Sequence, residues 1–225
     1  QAIENIQGII DRDKIPFLVG GTGLYISAIV DNLDMSQVKP DEKLRAEMTK
    51  MDLAELVVDL KKRDPATAAV IDLNNPRRVM RALEVVILTG KSFLDQQTKS
   101  EPIFDILQIG LERPREEIYE RINKRIDEMI QEGLVDEVKN LIKLGYSWGL
   151  PSMSSLGYSQ IGSYLRGKIS LEEATVIFKR DTRHFAKKQL TWFKRDKNIN
   201  WLNASEENLA NRASELIEKH ISHNT

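Results

Sequence analysis

The sequence predicts an α/β fold, a parallel sheet covered by helices and interrupted by a small helical excursion. Three observations lead there. Apolar runs of strand length occur at residues 15–19, 104–111 and 199–202, amphipathic helical stretches follow the first two, and the segment from 31 to 76 is charged and punctuated by Pro40, Pro65 and Pro76. Strands that alternate with helices pair in parallel, because a parallel connection needs a helical crossover. So few strands would leave long open edges, and further strands are expected in sequence preceding Gln1. Ile3, Ile6 and Ile10 recur at helical spacing with no Met at position 1, so the chain is expected to begin inside a helix and to be truncated at its N-terminus.

In chain order, residues 15–19 are expected to form a strand, Gly20 to Gly23 a turn, and Leu24 onward a helix. The helix from Arg77 carries Val79, Leu83, Val86 and Ile87 on one side and is expected to stop at Gly90, where glycine tolerates the left-handed cap. A polar loop runs to Pro102. A strand within 104–111 is followed by a helix from Arg115 with Ile118, Ile122, Ile126 and Met129 on one stripe, then by another ending at Gly145. Ser170 and Glu173 make a capping box, reciprocal side-chain bonds to free amides, that opens a helix expected to reach about Arg195. Ile199 to Leu202 close the sheet, and a helix ends the chain.

Composition sets the chemistry that is open to this chain. Its 225 residues are 41% hydrophobic and 30% charged, the balance of one folded domain or of one carrying a smaller insert. With 33 Lys and Arg against 34 Asp and Glu, no global field draws it to nucleic acid or acidic lipid, so any such attraction is local. The absence of Cys excludes disulfides, thiolate metal sites and cysteine nucleophiles, and points to a reducing, cytoplasmic compartment. No apolar run approaches membrane-spanning length, so no membrane partner is expected. His184, His220 and His223 form no metal-ligand spacing, and no metal site is assigned.

The glycine turn around Thr22 places bare amides and a hydroxyl at a helix start, which suits an anionic or polar ligand as well as a tight turn. Gly90-Lys91-Ser92 imitates the end of a phosphate-binding loop, but position 85 is Val where that loop needs glycine. Arg77 and Arg81 share a helix face, fit either to bind phosphate or to pair with Glu84. Arg115 opens a helix just after a strand, the end of a parallel sheet where ligands bind. Residues 179–195 hold seven basic side chains against Asp181 alone. Arg180, Arg183, Lys187 and Lys194 fall within an arc of roughly 60°, with Phe178, Phe185 and Trp192 nearly opposite. That face is expected to grip nucleic-acid phosphates while the aromatic face packs into the core.

Four motifs in order, Leu18-Val-Gly-Gly-Thr-Gly-Leu-Tyr25, Asn74-Asn-Pro-Arg-Arg-Val-Met-Arg-Ala-Leu-Glu-Val85, Leu156-Gly-Tyr158 and Ala186-Lys-Lys-Gln-Leu-Thr-Trp192, resemble the tRNA dimethylallyltransferases. The resemblance covers essentially the whole chain. It implies a P-loop-kinase-like core at 1–37 and 101–225 with a helical insertion and following helix at 38–100. It also implies transfer of a dimethylallyl group from dimethylallyl diphosphate to N6 of adenosine 37 in the tRNA anticodon stem-loop, with Mg2+ assisting, by a cytoplasmic enzyme expected to be a monomer. Carried over by motif, Thr22 matches a threonine at the target nucleotide and Arg115 an arginine near the diphosphate. Arg45, Arg77, Arg78 and Arg81 match tRNA-contacting positions. So do Ser154, Gly157, Tyr158 and Ser159, and in the last contact segment Arg183, Lys187, Lys188, Gln189, Thr191, Trp192 and Lys194. Relatives begin with a P-loop and a general-base aspartate that this sequence lacks, so the isolated chain is expected to be inactive. The alternatives are a free-nucleotide isopentenyltransferase and a non-catalytic tRNA-binding module.

Overall fold

The computed structural model describes residues 1–34, 38–96 and 98–223, and it divides into two compact units, Gln1–Ile106 and Leu107–Thr225. The first unit runs α1 (Ala2–Ile10), α2 (Gly23–Val30), β1 (Leu33–Asp34), α3 (Glu42–Met48), α4 (Leu53–Arg63), α5 (Pro65–Val70), α6 (Pro76–Thr89), a single 3-10 turn at Leu94–Gln96, and β2 (Thr98–Lys99). Short polar side chains start α3 to α6: Asp41, Asp52, Asp64 and Asn75 each accept a backbone N–H of the first turn, and Pro65 and Pro76 occupy first positions where no N–H is needed. Gly90 ends α6 at φ +68, the left-handed cap expected of it.

The core of this unit comes from the helical excursion, with Met48, Leu56, Leu60, Ala68, Val79, Ala82 and Leu83 buried against one another. Asp64 pins its far end: it accepts from Thr67 N at 3.0 Å, Thr67 Oγ1 at 2.5 Å, Ser92 Oγ at 2.9 Å and Phe93 N at 2.8 Å. Burial pushes this carboxyl up, but the bonds from Thr67, Phe93 and Ser92 outweigh it and hold the group below its ordinary value.

Two expectations fail in this unit. Residues 15–19 form no strand, since an extended run becomes one only beside a partner and no described strand lies next to it; Phe17 is 68% and Val19 90% exposed. The loop to Pro102 instead contributes β2, which pairs antiparallel with β1, Leu33 opposite Lys99. Neither two-residue strand is long enough to show periodicity. The boundary expected at residue 37 lies outside the described residues.

The second unit runs β3 (Gln108–Glu112), α7 (Arg115–Gln131), α8 (Leu134–Lys143), a 3-10 turn at Pro151–Ser154, α9 (Tyr158–Leu165), α10 (Leu171–Phe193), β4 (Ile199–Asn203) and α11 (Leu209–His223). β3 and β4 pair in parallel from Gln108 with Ile199 to Glu112 with Asn203. The chain is therefore α/β and mostly helical, its parallel sheet reduced to two strands among the described residues. The strand starts at Gln108 rather than Phe104. Ile126, Leu134, Val138, Met153, Ile161 and Phe178 form this unit's core, drawn from α7 to α10. The Ser170–Glu173 capping box is present as expected. The aromatic stripe is not: Phe178 is buried in the core, but Phe185 is 51% and Trp192 38% exposed, so the apolar side of α10 packs into this core only in its first half.

Candidate functional site

Thr22 is the N-cap residue of α2, with extended backbone and an exposed side chain that makes no capping bond. Its carbonyl accepts the amides of Tyr25 and Ile26 at 3.0 Å, so the backbone alone sets the turn and the hydroxyl is free for a ligand.

The basic positions of the same unit part into two sorts. Arg45 donates Nε to Glu84 Oε1 at 2.7 Å and Nη2 to Oε2 at 2.8 Å; Arg81 donates Nη1 to Oε2 at 2.6 Å and Nη2 to the Val38 carbonyl at 2.9 Å. The Asp41 amide completes the shell at 2.9 Å. Burial would raise the Glu84 carboxyl, yet bonds from Arg45, Arg81 and Asp41 lower it to about 2. Of the two readings open for Arg81, pairing with Glu84 is the one the geometry adopts. Arg45 and Arg81 thus tie α3 and the chain before it to α6, while Arg77 and Arg78 stand exposed in the first turn of α6.

In the second unit Arg115 is the first residue of α7, three positions beyond the last residue of β3. Its Nε donates to Tyr119 Oη at 2.7 Å, and its guanidinium carbon lies 5.0 Å from the Tyr119 ring centroid. From α10, Arg183 reaches the same ring at 5.8 Å and donates Nη1 to Asn123 Oδ1 at 2.7 Å. One turn earlier on α10, Lys179 meets Asp127 at 2.6 Å. The two helices are therefore antiparallel in a fixed register, four residues up one matched by four down the other. One turn further along α10, Lys187 is exposed. Lys194 pairs with Glu112 at 3.1 Å and lies over Trp201 at 5.8 Å, and Arg180 pairs with Asp181 at 2.9 Å. So the basic face is partly neutralised, and Arg183 and Lys187 are the members without a carboxylate among the described residues. Lys188, Thr191 and Trp192 are exposed beside it; Gln189 is half-buried, and Thr191 Oγ1 bonds back to the Lys187 carbonyl at 2.9 Å.

Beyond the carboxyl ends of β3 and β4, Arg113 donates to the Ala204 carbonyl at 2.5 Å, to Ser205 Oγ at 2.9 Å and to Glu117, which also takes Arg121 at 3.2 Å. Glu117 is held below the usual carboxylate range, chiefly by the Ser205 hydroxyl and then by its arginines. This clip joins the two strand ends next to Arg115. Sequence reasoning passed over Arg113, Tyr119 and Asn123, although the four-residue spacing of Arg115, Tyr119 and Asn123 was readable as one helix face.

Ser154 caps its 3-10 turn by donating to the Pro151 carbonyl at 2.6 Å. Gly157, at φ +91, gives its amide to Gln160 Oε1 at 2.9 Å, Ser159 gives its hydroxyl to the same oxygen at 2.8 Å, and Gln160 Nε2 bonds Asp181 on α10 at 2.9 Å. Tyr158 donates to Glu137, which raises its phenol pKa. This stretch is set against α10 by a buried glutamine. Among the described residues no group of three or more His, Asp and Glu is arranged to hold a metal ion, and no described helix is long and apolar enough to cross a membrane.

Fold and charge together define an α/β protein with an incompletely neutralised cationic face near the carboxyl ends of its parallel strands. The chain belongs to the IPP transferase family, whose model matches residues 1–196. It is 47% identical over 208 residues to a tRNA dimethylallyltransferase of Pelotomaculum thermopropionicum, an alignment covering 90% of this chain and 66% of that protein. Among solved structures, the tRNA delta(2)-isopentenylpyrophosphate transferase of Staphylococcus epidermidis is 34% identical with a TM-score of 0.63, covering 100% of this chain and 74% of that one. A eukaryotic dimethylallyltransferase acting on tRNA shares the fold at a TM-score of 0.74 and 24% identity, covering 99% and 60%. The chain thus spans about two thirds of the length of the Pelotomaculum relative.

Proposed function

We propose that this chain serves the transfer of a dimethylallyl group from dimethylallyl diphosphate to N6 of adenosine 37 in the anticodon stem-loop of tRNA. The observation that carries the reading is its 47% identity, across 90% of its length, to a tRNA dimethylallyltransferase. In the reaction the N6 lone pair attacks the allylic carbon, the C–N bond forms as the C–O bond to diphosphate breaks, and N6 gives up a proton. Charge develops on the departing diphosphate, so fixed cations there favour the transition state over the ground state. Arg115 supplies such a cation and Thr22 contacts the target nucleotide; Arg77 and Arg78 hold RNA phosphates in the first unit, and the cationic face of α10 holds them in the second. Arg45 and Arg81 reach the RNA only from their Glu84 anchorage. Lys188, Gln189, Thr191, Trp192 and Lys194, with Ser154, Gly157, Tyr158 and Ser159, border the same RNA contact.

In this reading Mg2+ would neutralise diphosphate oxygens, but the described acidic residues form no cluster to hold it. Residues 38–100 act as the helical insertion and 1–37 with 101–225 as the catalytic core, in a cytoplasmic monomer. Removing the gene for this chain from its host tests the reading: dimethylallyladenosine should disappear from digested tRNA and return on re-expression, and tRNA that keeps the modification after removal would contradict it.

A further inference from the structure

Arginines that this chain holds in place are mostly held by carboxylates, as Arg45 and Arg81 are by Glu84, and Arg113 and Arg121 by Glu117. Such pairs cancel, and the cation contributes little to a ligand. Arg115 and Arg183 are arranged differently. Their partners are Tyr119 and Asn123, which are neutral, and neither arginine has a carboxylate partner among the described residues. Both guanidiniums lie within 6 Å of the centroid of one half-buried ring, where attraction to the π face lets two like charges share a neighbourhood that would otherwise push them apart. Arg115 uses Nε on the phenol oxygen and keeps its two terminal nitrogens, the pair that fits two oxygens of one phosphoryl group. Lys187, one turn beyond Arg183 on α10, adds an exposed positive charge.

We propose that Tyr119 is a positioning residue that presents Arg115 and Arg183 together to phosphoryl oxygens, its hydroxyl fixing the first and its ring face the second. This rests on the functional reading above and deepens it. The phosphoryl group comes either from a free diphosphate or from the RNA backbone, two sources of one chemistry. A carboxylate at position 119 would fix Arg115 as firmly but would cancel the charge that the ligand needs.

Calorimetric titration of the chain with inorganic pyrophosphate in one arm and an anticodon stem-loop RNA in the other tests this. Tyr119→Phe keeps the ring and removes the acceptor, so the ligand that Arg115 contacts should bind about fivefold more weakly. Tyr119→Leu removes both supports and should weaken binding about tenfold or more. The arm that weakens names the source of the phosphoryl group. Because the tyrosine acts through the arginine, Tyr119→Phe combined with Arg115→Gln should bind no more weakly than Arg115→Gln alone, a coupling that a merely structural role does not produce. Unchanged affinity for both probes in both Tyr119 variants, or additive losses in the double variant, overturns this inference alone. A wild-type chain that binds neither probe overturns it together with the functional reading.

Discussion

Arg45 meets Glu84 through two parallel hydrogen bonds of 2.7 and 2.8 Å, and the Glu84 side chain has no solvent exposure. The arginine lies on a seven-residue helix, too short to hold itself in water, and Glu84 lies in the middle of the longest helix of its unit. The pair therefore makes α3 a stable part of the excursion, and a residue matched to an RNA contact is also a structural staple.

Glu84→Gln should lower stability by roughly 2–4 kcal/mol, because two arginines lose the anion they surround. The pH dependence has a definite sign. The folded-state pKa, about 2, lies below the ordinary 4.5, so the carboxylate stabilises fully above that ordinary value and the effect is lost as pH falls from 4.5 toward 2. Denaturant unfolding of wild type and variant from about pH 7 to about pH 3 should show a gap that is constant near neutrality and narrows in acid. A gap that widens in acid would contradict the assignment.

Gly157→Ala should cost roughly 1–3 kcal/mol, since φ is +91 and the new methyl carbon would lie 3.0 Å from Cζ of Phe178, a ring fixed in the core. Gly145→Ala, at φ +90 with open space around it, carries only the backbone part of that penalty and should melt at the higher temperature of the two.

Thr22→Ala should change stability by less than about 0.5 kcal/mol, as the hydroxyl makes no cap bond and sits in solvent. If the hydroxyl contacts the target nucleotide, tRNA prenylation by the enzyme carrying the change should fall about tenfold. Thermal melting and single-turnover prenylation, run side by side, separate the two effects; a large melting shift with intact turnover would assign Thr22 to the fold.

Local signals that act within a few residues were legible: the Ser170 capping box, the Gly90 cap, Pro76 at a helix start and the β-prone run at Ile199 each determine structure through their own backbone neighbours. What depends on a partner far along the chain was not. The run at 15–19 carries strand composition with no described strand beside it, and Phe185 and Trp192 stay exposed on the apolar side of α10. The same distinction governs the candidate site. Excess positive charge on α10 was countable, but whether a given cation is cancelled depends on Asp127, Glu112 or Asn123, residues 52, 82 and 60 positions away from Lys179, Lys194 and Arg183.

In the proposed function Arg183 and Lys187, the cations of the α10 face without a carboxylate partner among the described residues, grip RNA phosphates, and salt-dependent binding of an anticodon stem-loop measures this most directly. Arg183→Gln and Lys187→Gln should each reduce the slope of log affinity against log salt by about 1, while Lys179→Gln, whose charge Asp127 already cancels, should leave it unchanged. A double Arg183→Gln, Lys187→Gln chain that binds the RNA with the wild-type slope would contradict the account.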